Sequence, residues 1–278
     1  MTTSTFQHSP TLVLGGTGKT GRRVVERLRA RGVPVRVGSR GGETPFDWND
    51  AATWASALDN VHAAYVSFHP DLAVPGAPET IAAFARQAVA SGTRRLVLLS
   101  GRGEHEAQRA EQELQASGAA WTIVRCSWFM QNFDEGHFAD ALRAGELALP
   151  VGDVREPFVD ADDIADVAVA ALTDPRHIGQ CYELTGARLL TFAEAVAAIA
   201  RASGRDLRYA QLSMAEFEDD ARGQGVPADF VEFLRYLFTE VLDGRNAQLT
   251  DGVQRVLGRP PRDFATFARD AALAGAWH

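Results

Sequence analysis

Three glycines, Gly15, Gly18 and Gly21, recur at intervals of three immediately after the apolar run Leu12-Val13-Leu14 and before the periodic apolar residues Val24, Val25 and Leu28. That order reads as strand, tight turn and helix, the arrangement that brings backbone amides at a helix N-terminus to a pyrophosphate. In such a loop one glycine makes the turn, one admits the phosphates, and one lets helix and strand approach closely. Gly18-Lys19-Thr20 also looks like the end of a nucleoside-triphosphate loop, but that motif requires a glycine where this chain has Val13. A structural glycine turn in some other α/β protein is the bland alternative to a dinucleotide cradle.

About twenty residues past the loop, where a carboxylate would bind the adenosine ribose of NAD, the second strand Val35-Arg36-Val37-Gly38-Ser39-Arg40 ends in a serine and an arginine. A guanidinium there suits the 2′-phosphate of NADP, so NADP(H) is expected over NAD(H), against the plain alternative of a solvated arginine at a strand end.

The elements that must position these residues follow in a regular rhythm. Pro45-Phe46-Asp47-Trp48 reads as a short third strand, with Asn49 or Asp50 capping a helix through Leu58. His62 to Phe68 forms a fourth strand ending at His69-Pro70, Glu79 to Ser91 a helix, Arg95 to Ser100 a buried strand, Glu104 to Ala116 a helix, and Ala120 to Cys126 another strand. Strands separated by crossover helices imply an α/β fold with a doubly wound parallel sheet of Rossmann type. Ligands of such sheets bind beyond the carboxyl ends of the strands, which makes Gly15, Gly16, Thr17, Gly18, Lys19, Thr20, Gly21, Ser39, Arg40, Phe68, His69, Ser100 and the stretch from Cys126 to Asn132 one set of candidates.

Residues 1–150 are read as the dinucleotide-binding domain and 151–278 as a smaller, mainly helical substrate part, with the strand at 181–185 returning to the sheet. Helices are expected over Thr191 to Ala202, Met214 to Ala221, Ala228 to Leu242 and Phe264 to Leu273. In the third, Phe230, Phe233, Leu234, Leu237, Phe238 and Val241 form one apolar stripe, by default core and otherwise a pocket roof or a subunit contact.

Composition narrows the function. A net charge of -8 without a long basic run argues against a nucleic-acid partner. The two cysteines, Cys126 and Cys181, provide neither a disulfide framework nor a cysteine-rich metal site and read as small buried hydrophobes. Glu104-His105-Glu106 lacks the second histidine of a helical zinc motif, so no metal is expected. The first ten residues lack the features of a signal peptide and no run reaches membrane-spanning length, so the expectation is a cytoplasmic protein without membrane contact.

Leu14-Gly15-Gly16-Thr17-Gly18-Lys19-Thr20-Gly21, Ala116-Ser117-Gly118 through Asn132-Phe133, Phe158-Val159-Asp160 with Asp163-Ile164-Ala165, and Glu183-Leu184-Thr185-Gly186 together resemble the NmrA-like branch of atypical short-chain dehydrogenases/reductases. Phe46-Asp47-Trp48-Asn49-Asp50 and Ser127-Trp128-Phe129-Met130-Gln131-Asn132-Phe133 are similar to the group of fungal ergot-alkaloid reductases, the agroclavine dehydrogenases and festuclavine synthases. The resemblance implies NADP(H) on the glycine loop with Arg40 at the 2′-phosphate. It implies that Trp128, Phe129, Gln131 and Asn132 line a pocket beside the nicotinamide, core packing being the alternative for the two aromatics.

The wider superfamily's Tyr-x-x-x-Lys pair is missing. Alignment on Glu111 and Ser117-Gly118 puts Gly103 and Ala107 at its positions, which leaves Ser100 and His105 as substitute acids, His105 equally reading as an exposed helix residue. The resulting expectation is an NADPH-dependent reductase of a small activated acceptor, a cyclic imine or iminium, a quinone or a conjugated heterocycle, acting as monomer or homodimer. The alternatives are an NAD(P)-binding redox sensor that signals through a protein partner and a cofactor-assisted isomerase or cyclase.

Overall fold

The computed structural model describes residues 9–278; the reading of the N-terminal leader, and the start of the expected first domain, lie outside them. The elements in chain order are β1 (Thr11–Leu14), α1 (Lys19–Ala30), β2 (Val35–Ser39), β3 (Thr44–Pro45), α2 (Trp54–Leu58), β4 (Ala63–Val66), α3 (Ala77–Ala90), β5 (Arg95–Gly101), α4 (His105–Ala116) and β6 (Ala120–Cys126). After these come α5 (His137–Ala144), β7 (Glu146–Leu149), α6 (Ala161–Thr173), β8 (Gln180–Leu184), α7 (Phe192–Ser203), β9 (Arg208–Gln211), α8 (Met214–Gly223), α9 (Ala228–Tyr236), a π-helical turn over Leu237–Val241, α10 (Gly252–Leu257) and α11 (Phe264–Leu273).

Seven strands form one parallel sheet in the order β3-β2-β1-β4-β5-β6-β8. The chain steps outward from β1 to β2 and β3, then resumes on the other side with β4, so the direction of winding reverses between β1 and β4. This is the switch point at which open α/β sheets take ligands. Every residue of β1 and β4 is buried, as expected of strands covered on both faces.

The described residues divide into two compact units, the first comprising residues 9–126, 161–184 and 252–259 and the second residues 127–160, 185–251 and 260–278. The first contains the whole seven-stranded sheet. Its core sets Leu12, Leu14, Leu96 and Leu98 against Phe84 of α3 and Leu114 of α4. Phe46, Trp48, Trp54 and Phe84 interlock there, with ring centroids between 4.9 Å (Phe46–Trp48) and 6.3 Å (Phe46–Trp54). The expected third strand is shorter and earlier than Pro45 to Trp48: only Thr44–Pro45 pairs with β2, because Phe46 and Trp48 turn into this aromatic core instead of extending the ladder. Asp50, not Asn49, caps the short helical turn that leads into α2, accepting from the Ala52 amide at 3.1 Å.

The second unit packs helices around a two-stranded parallel pair, β7 with β9. Thr191 and Glu194 close a reciprocal capping box on α7, and Gly204 ends that helix in the left-handed region. Phe133, Phe158, Phe192, Phe264 and Trp277 fill its core. The helix expected from Ala228 to Leu242 instead ends at Tyr236 and passes into the π turn, in which Leu242 donates to the Leu237 carbonyl at 3.0 Å. Its apolar stripe is correspondingly split. Phe238 and Val241 are buried, Phe233, Leu234 and Leu237 are half-buried, and Phe230 is exposed.

Candidate functional site

Register alone brings the cofactor candidates to one edge of the first unit. Leu14 pairs with Gly38, Val13 with Tyr65, Val66 with Leu98, and Gly101 with Cys126. Continuing each strand by a residue or two sets Gly15, Ser39, Ser67, Phe68, Ser100 and Cys126 along the carboxyl ends of neighbouring strands.

Within the loop each glycine has a distinct mechanical reason. Gly15 lies at φ +65°, in the left-handed region that side chains disfavour. A Cβ on Gly21 would collide with the Gly15 carbonyl, so this glycine lets the first turn of α1 close onto the loop. One on Gly16 would meet Val37 Cγ1 at 2.7 Å. Gly18 differs, because its Cβ would meet nothing within 4 Å except the Gly15 oxygen at 3.3 Å and would point into open space.

Gly18 is also the N-cap of α1. No side chain caps that end, and the first turn contains no acid. Thr17 and Gly18 are exposed, Lys19 is half-buried and Thr20 is buried. A helix N-terminus bare of capping side chains, fronted by a glycine with room beside it, fits the phosphates of a dinucleotide. Arg40 is exposed one residue past β2, Phe68 is half-buried against Trp48 at 5.0 Å between ring centroids, and His69 is exposed.

Farther along the same edge, side chains engage one another. Ser100 donates to Glu111 Oε1 at 2.6 Å, and Arg125 grips both oxygens of that carboxylate, one bond measuring 2.9 Å. Arg125 also reaches Glu183 at 2.7 Å, and Arg102 meets the other Glu183 oxygen at 3.3 Å. The chain of charges crosses β5, β6 and β8, with Glu111 supplied by α4, and the Glu111 carboxylate holds the Arg125 guanidinium still more firmly charged than usual. Burial pushes the Cys126 thiol well above its ordinary range, which keeps it protonated and unreactive. His105 is the exposed first residue of α4. Gly103 precedes that helix at φ +75°, and Ala107 is wholly buried within it, so neither position of the missing Tyr-x-x-x-Lys pair offers a proton.

Trp128, Phe129, Gln131 and Asn132 belong to the second unit. An isolated bridge pairs Phe129 with Val159, with Met130 donating to the Val159 carbonyl and Val159 to that of Trp128, both at 2.9 Å. Gln131 is buried and donates to Asp160 at 2.9 Å; Asp160 in turn receives Arg262 at 2.9 Å. Gln131 therefore anchors this segment from beneath, whereas Trp128, Phe129 and Asn132 remain partly open. The Trp128 ring lies 5.8 Å from both Phe192 and Phe238 and stacks at 6.4 Å on Phe138.

Sequence reading missed Ser67, whose Cβ and Oγ would stand 3.4 Å from a Cβ on Gly15, and it missed the contacts of Glu111 with Arg125 and of Tyr65 with Thr20. A signal existed for Arg125, a charge set in the apolar strand Thr122-Ile123-Val124, and for Tyr65, a hydroxyl in an otherwise apolar one. Among the described residues no group of three or more histidine, cysteine or acidic side chains could hold a metal, and no helix is long and apolar enough to cross a membrane.

Comparison with known proteins places matches on the same regions. Residues 15–175 match a family profile described as NAD(P)H-binding, and residues 106–250 match the NmrA-like family. The chain is 33% identical to an NAD(P)H azoreductase of Xenophilus azovorans, covering 95% of this chain and 98% of that protein. It is 30% identical to agroclavine dehydrogenase of Claviceps fusiformis, covering 93% and 96%. An NADPH-dependent quinone oxidoreductase of Escherichia coli, solved with NADPH, shares its fold with a TM-score of 0.76 over 94% of this chain and 99% of that one, at 21% identity.

Proposed function

This chain belongs to the NmrA-like family of NAD(P)H-binding proteins, and we propose that it is an NADPH-dependent reductase whose acceptors are small and already activated: cyclic iminium ions, quinones or conjugated heterocycles. It is an oxidoreductase in kind. The choice of acceptor is carried by one observation, the Ser100 hydroxyl committed to Glu111 at 2.6 Å in a chain with Gly103 and Ala107 where a tyrosine and lysine would stand.

Reduction of a plain ketone develops an alkoxide that needs a positioned acid or oxyanion site, help that typically contributes about 10²–10⁴-fold. Ser100 cannot give that help without abandoning a carboxylate that Arg125 holds in place. An iminium acceptor becomes a neutral amine and requires no proton in the hydride step. A quinone spreads its charge over several atoms and takes its proton from water afterward. The related azoreductase and the quinone oxidoreductase of like fold bear names in keeping with activated acceptors.

In this reading the dinucleotide, when bound, supplies the hydride. The first unit holds it: Gly15 shapes the turn, Gly18 leaves space for phosphate, the open end of α1 attracts the charge, and Arg40 selects the 2′-phosphate. Within the second unit, Trp128 and Phe129 are partly open aromatic faces of a kind that suits a flat or cationic heterocycle. The test is a panel of acceptors followed by NADPH consumption. Turnover of cyclic iminium ions or quinones with simple ketones untouched supports the reading, and robust turnover of unactivated ketones alone overturns it. NADPH binding without turnover of any acceptor moves the assignment to a redox sensor.

A further inference from the structure

The first turn of α1 is joined to the middle of the sheet by a polar contact that packing does not require. Tyr65 in β4 is wholly buried, and its phenolic oxygen lies 2.9 Å from Oγ1 of Thr20, itself 4% exposed. Burial pushes the phenol's pKa up, so Tyr65 is a neutral hydroxyl at every working pH. Each of the two hydroxyls has one hydrogen, and the contact uses one. Among the described residues neither oxygen has a further partner, so one hydrogen is left without an acceptor in a place nearly closed to water. Buried donors are rarely left so. A valine at 20 and a phenylalanine at 65 would fill the same space and leave nothing over.

The position of the pair names the missing acceptor. Thr20 stands in the first turn of α1, two residues beyond the uncapped Gly18, where the helix end favours negative charge. We propose that Tyr65 and Thr20 form a built donor for the dinucleotide pyrophosphate, Tyr65 giving its hydrogen to Thr20 Oγ1 and Thr20 directing its own to a phosphate oxygen. Tyr65 is then a positioning residue that acts through Thr20 and never touches the cofactor. The inference rests on the glycine loop being the NADP(H) cradle.

Binding, not turnover, tests it. NADPH is titrated by fluorescence against wild type, Tyr65→Phe, Thr20→Val and Thr20→Ser, with adenosine 2′-monophosphate as a competitor that keeps the 2′-phosphate but lacks the pyrophosphate. Tyr65→Phe and Thr20→Val should each weaken NADPH about tenfold, Thr20→Ser should restore it, and the double variant should lose no more than Thr20→Val alone. Adenosine 2′-monophosphate should bind all four within about twofold, since no pyrophosphate contact is lost. Unchanged NADPH affinity in Tyr65→Phe and Thr20→Val, or equal losses for both ligands, overturns the proposal, the second result marking a general distortion. Should Tyr65→Phe fail to fold, the Thr20→Val and Thr20→Ser pair carries the decision. A wild-type protein that binds adenosine 2′-monophosphate and NADPH with no difference, or neither of them, refutes the cradle itself, and this inference falls with it.

Discussion

The glycine loop of the first unit and the Trp128 segment of the second are built on opposite plans. In the loop almost everything is backbone: a left-handed Gly15, a carbonyl that tolerates no Cβ on Gly21, and an uncapped helix end. Around Trp128 almost everything is side chain. A short backbone bridge to Val159 and the Gln131–Asp160 bond hold the segment, and the exposed part of it is shaped by Phe138, Phe192 and the Phe238 of a π turn. A ligand common to a whole family can be met by backbone, whose geometry substitutions scarcely change. A variable acceptor is better met by side chains, which change one at a time.

The contrast breaks most sharply at Gly18. Gly18→Val adds bulk where only the Gly15 oxygen stands within 4 Å, so the protein should fold with a normal circular-dichroism spectrum while losing dinucleotide binding altogether. Retained NADPH affinity in that variant would show that phosphate does not lie against the loop.

Arg40→Ala removes a single charged partner. It should weaken NADPH by roughly one to two decades, the equivalent of about 1.5–3 kcal/mol, and leave NADH nearly unchanged. Equal loss of both cofactors in a titration would mean that Arg40 does not read the 2′-phosphate.

Trp128→Leu takes away three aromatic neighbours' contacts but no backbone. Pairwise ring contacts are worth about 0.5–1.5 kcal/mol each, so kcat/KM for an aromatic acceptor should fall by about an order of magnitude with the NADPH dissociation constant unmoved. A parallel fall in NADPH affinity would erase the distinction between the two regions.

The smallest effect is expected at Phe230, 37% exposed on α9. Phe230→Ser should change the midpoint of thermal unfolding by no more than a surface substitution does, within about 0.5 kcal/mol, and leave NADPH binding intact. A larger loss would show that the outer part of the α9 stripe is covered in solution.

The parts of this protein whose cause is local could be read from the chain alone. Glycine spacing, the apolar strand runs and the helical periodicities act over a few residues, so the parallel sheet, the loop at its switch point and α11, seen from Phe264 to Leu273 as expected, were legible in the residues themselves. The place of Arg40, one residue past the end of β2, was legible too, because the run that forms β2 ends there and β2 pairs beside β1 up to Leu14 and Gly38. What distant residues do to one another emerged only from the assembled fold. Tyr65 and Thr20 meet because β4 lies beside β1; Ser100, Glu111, Arg125 and Glu183 meet because β5, β6 and β8 are neighbours under α4. The π turn and the half-open stripe of α9 were hidden for the same reason: an apolar periodicity states that a face wants cover, and only packing states how much of it receives any.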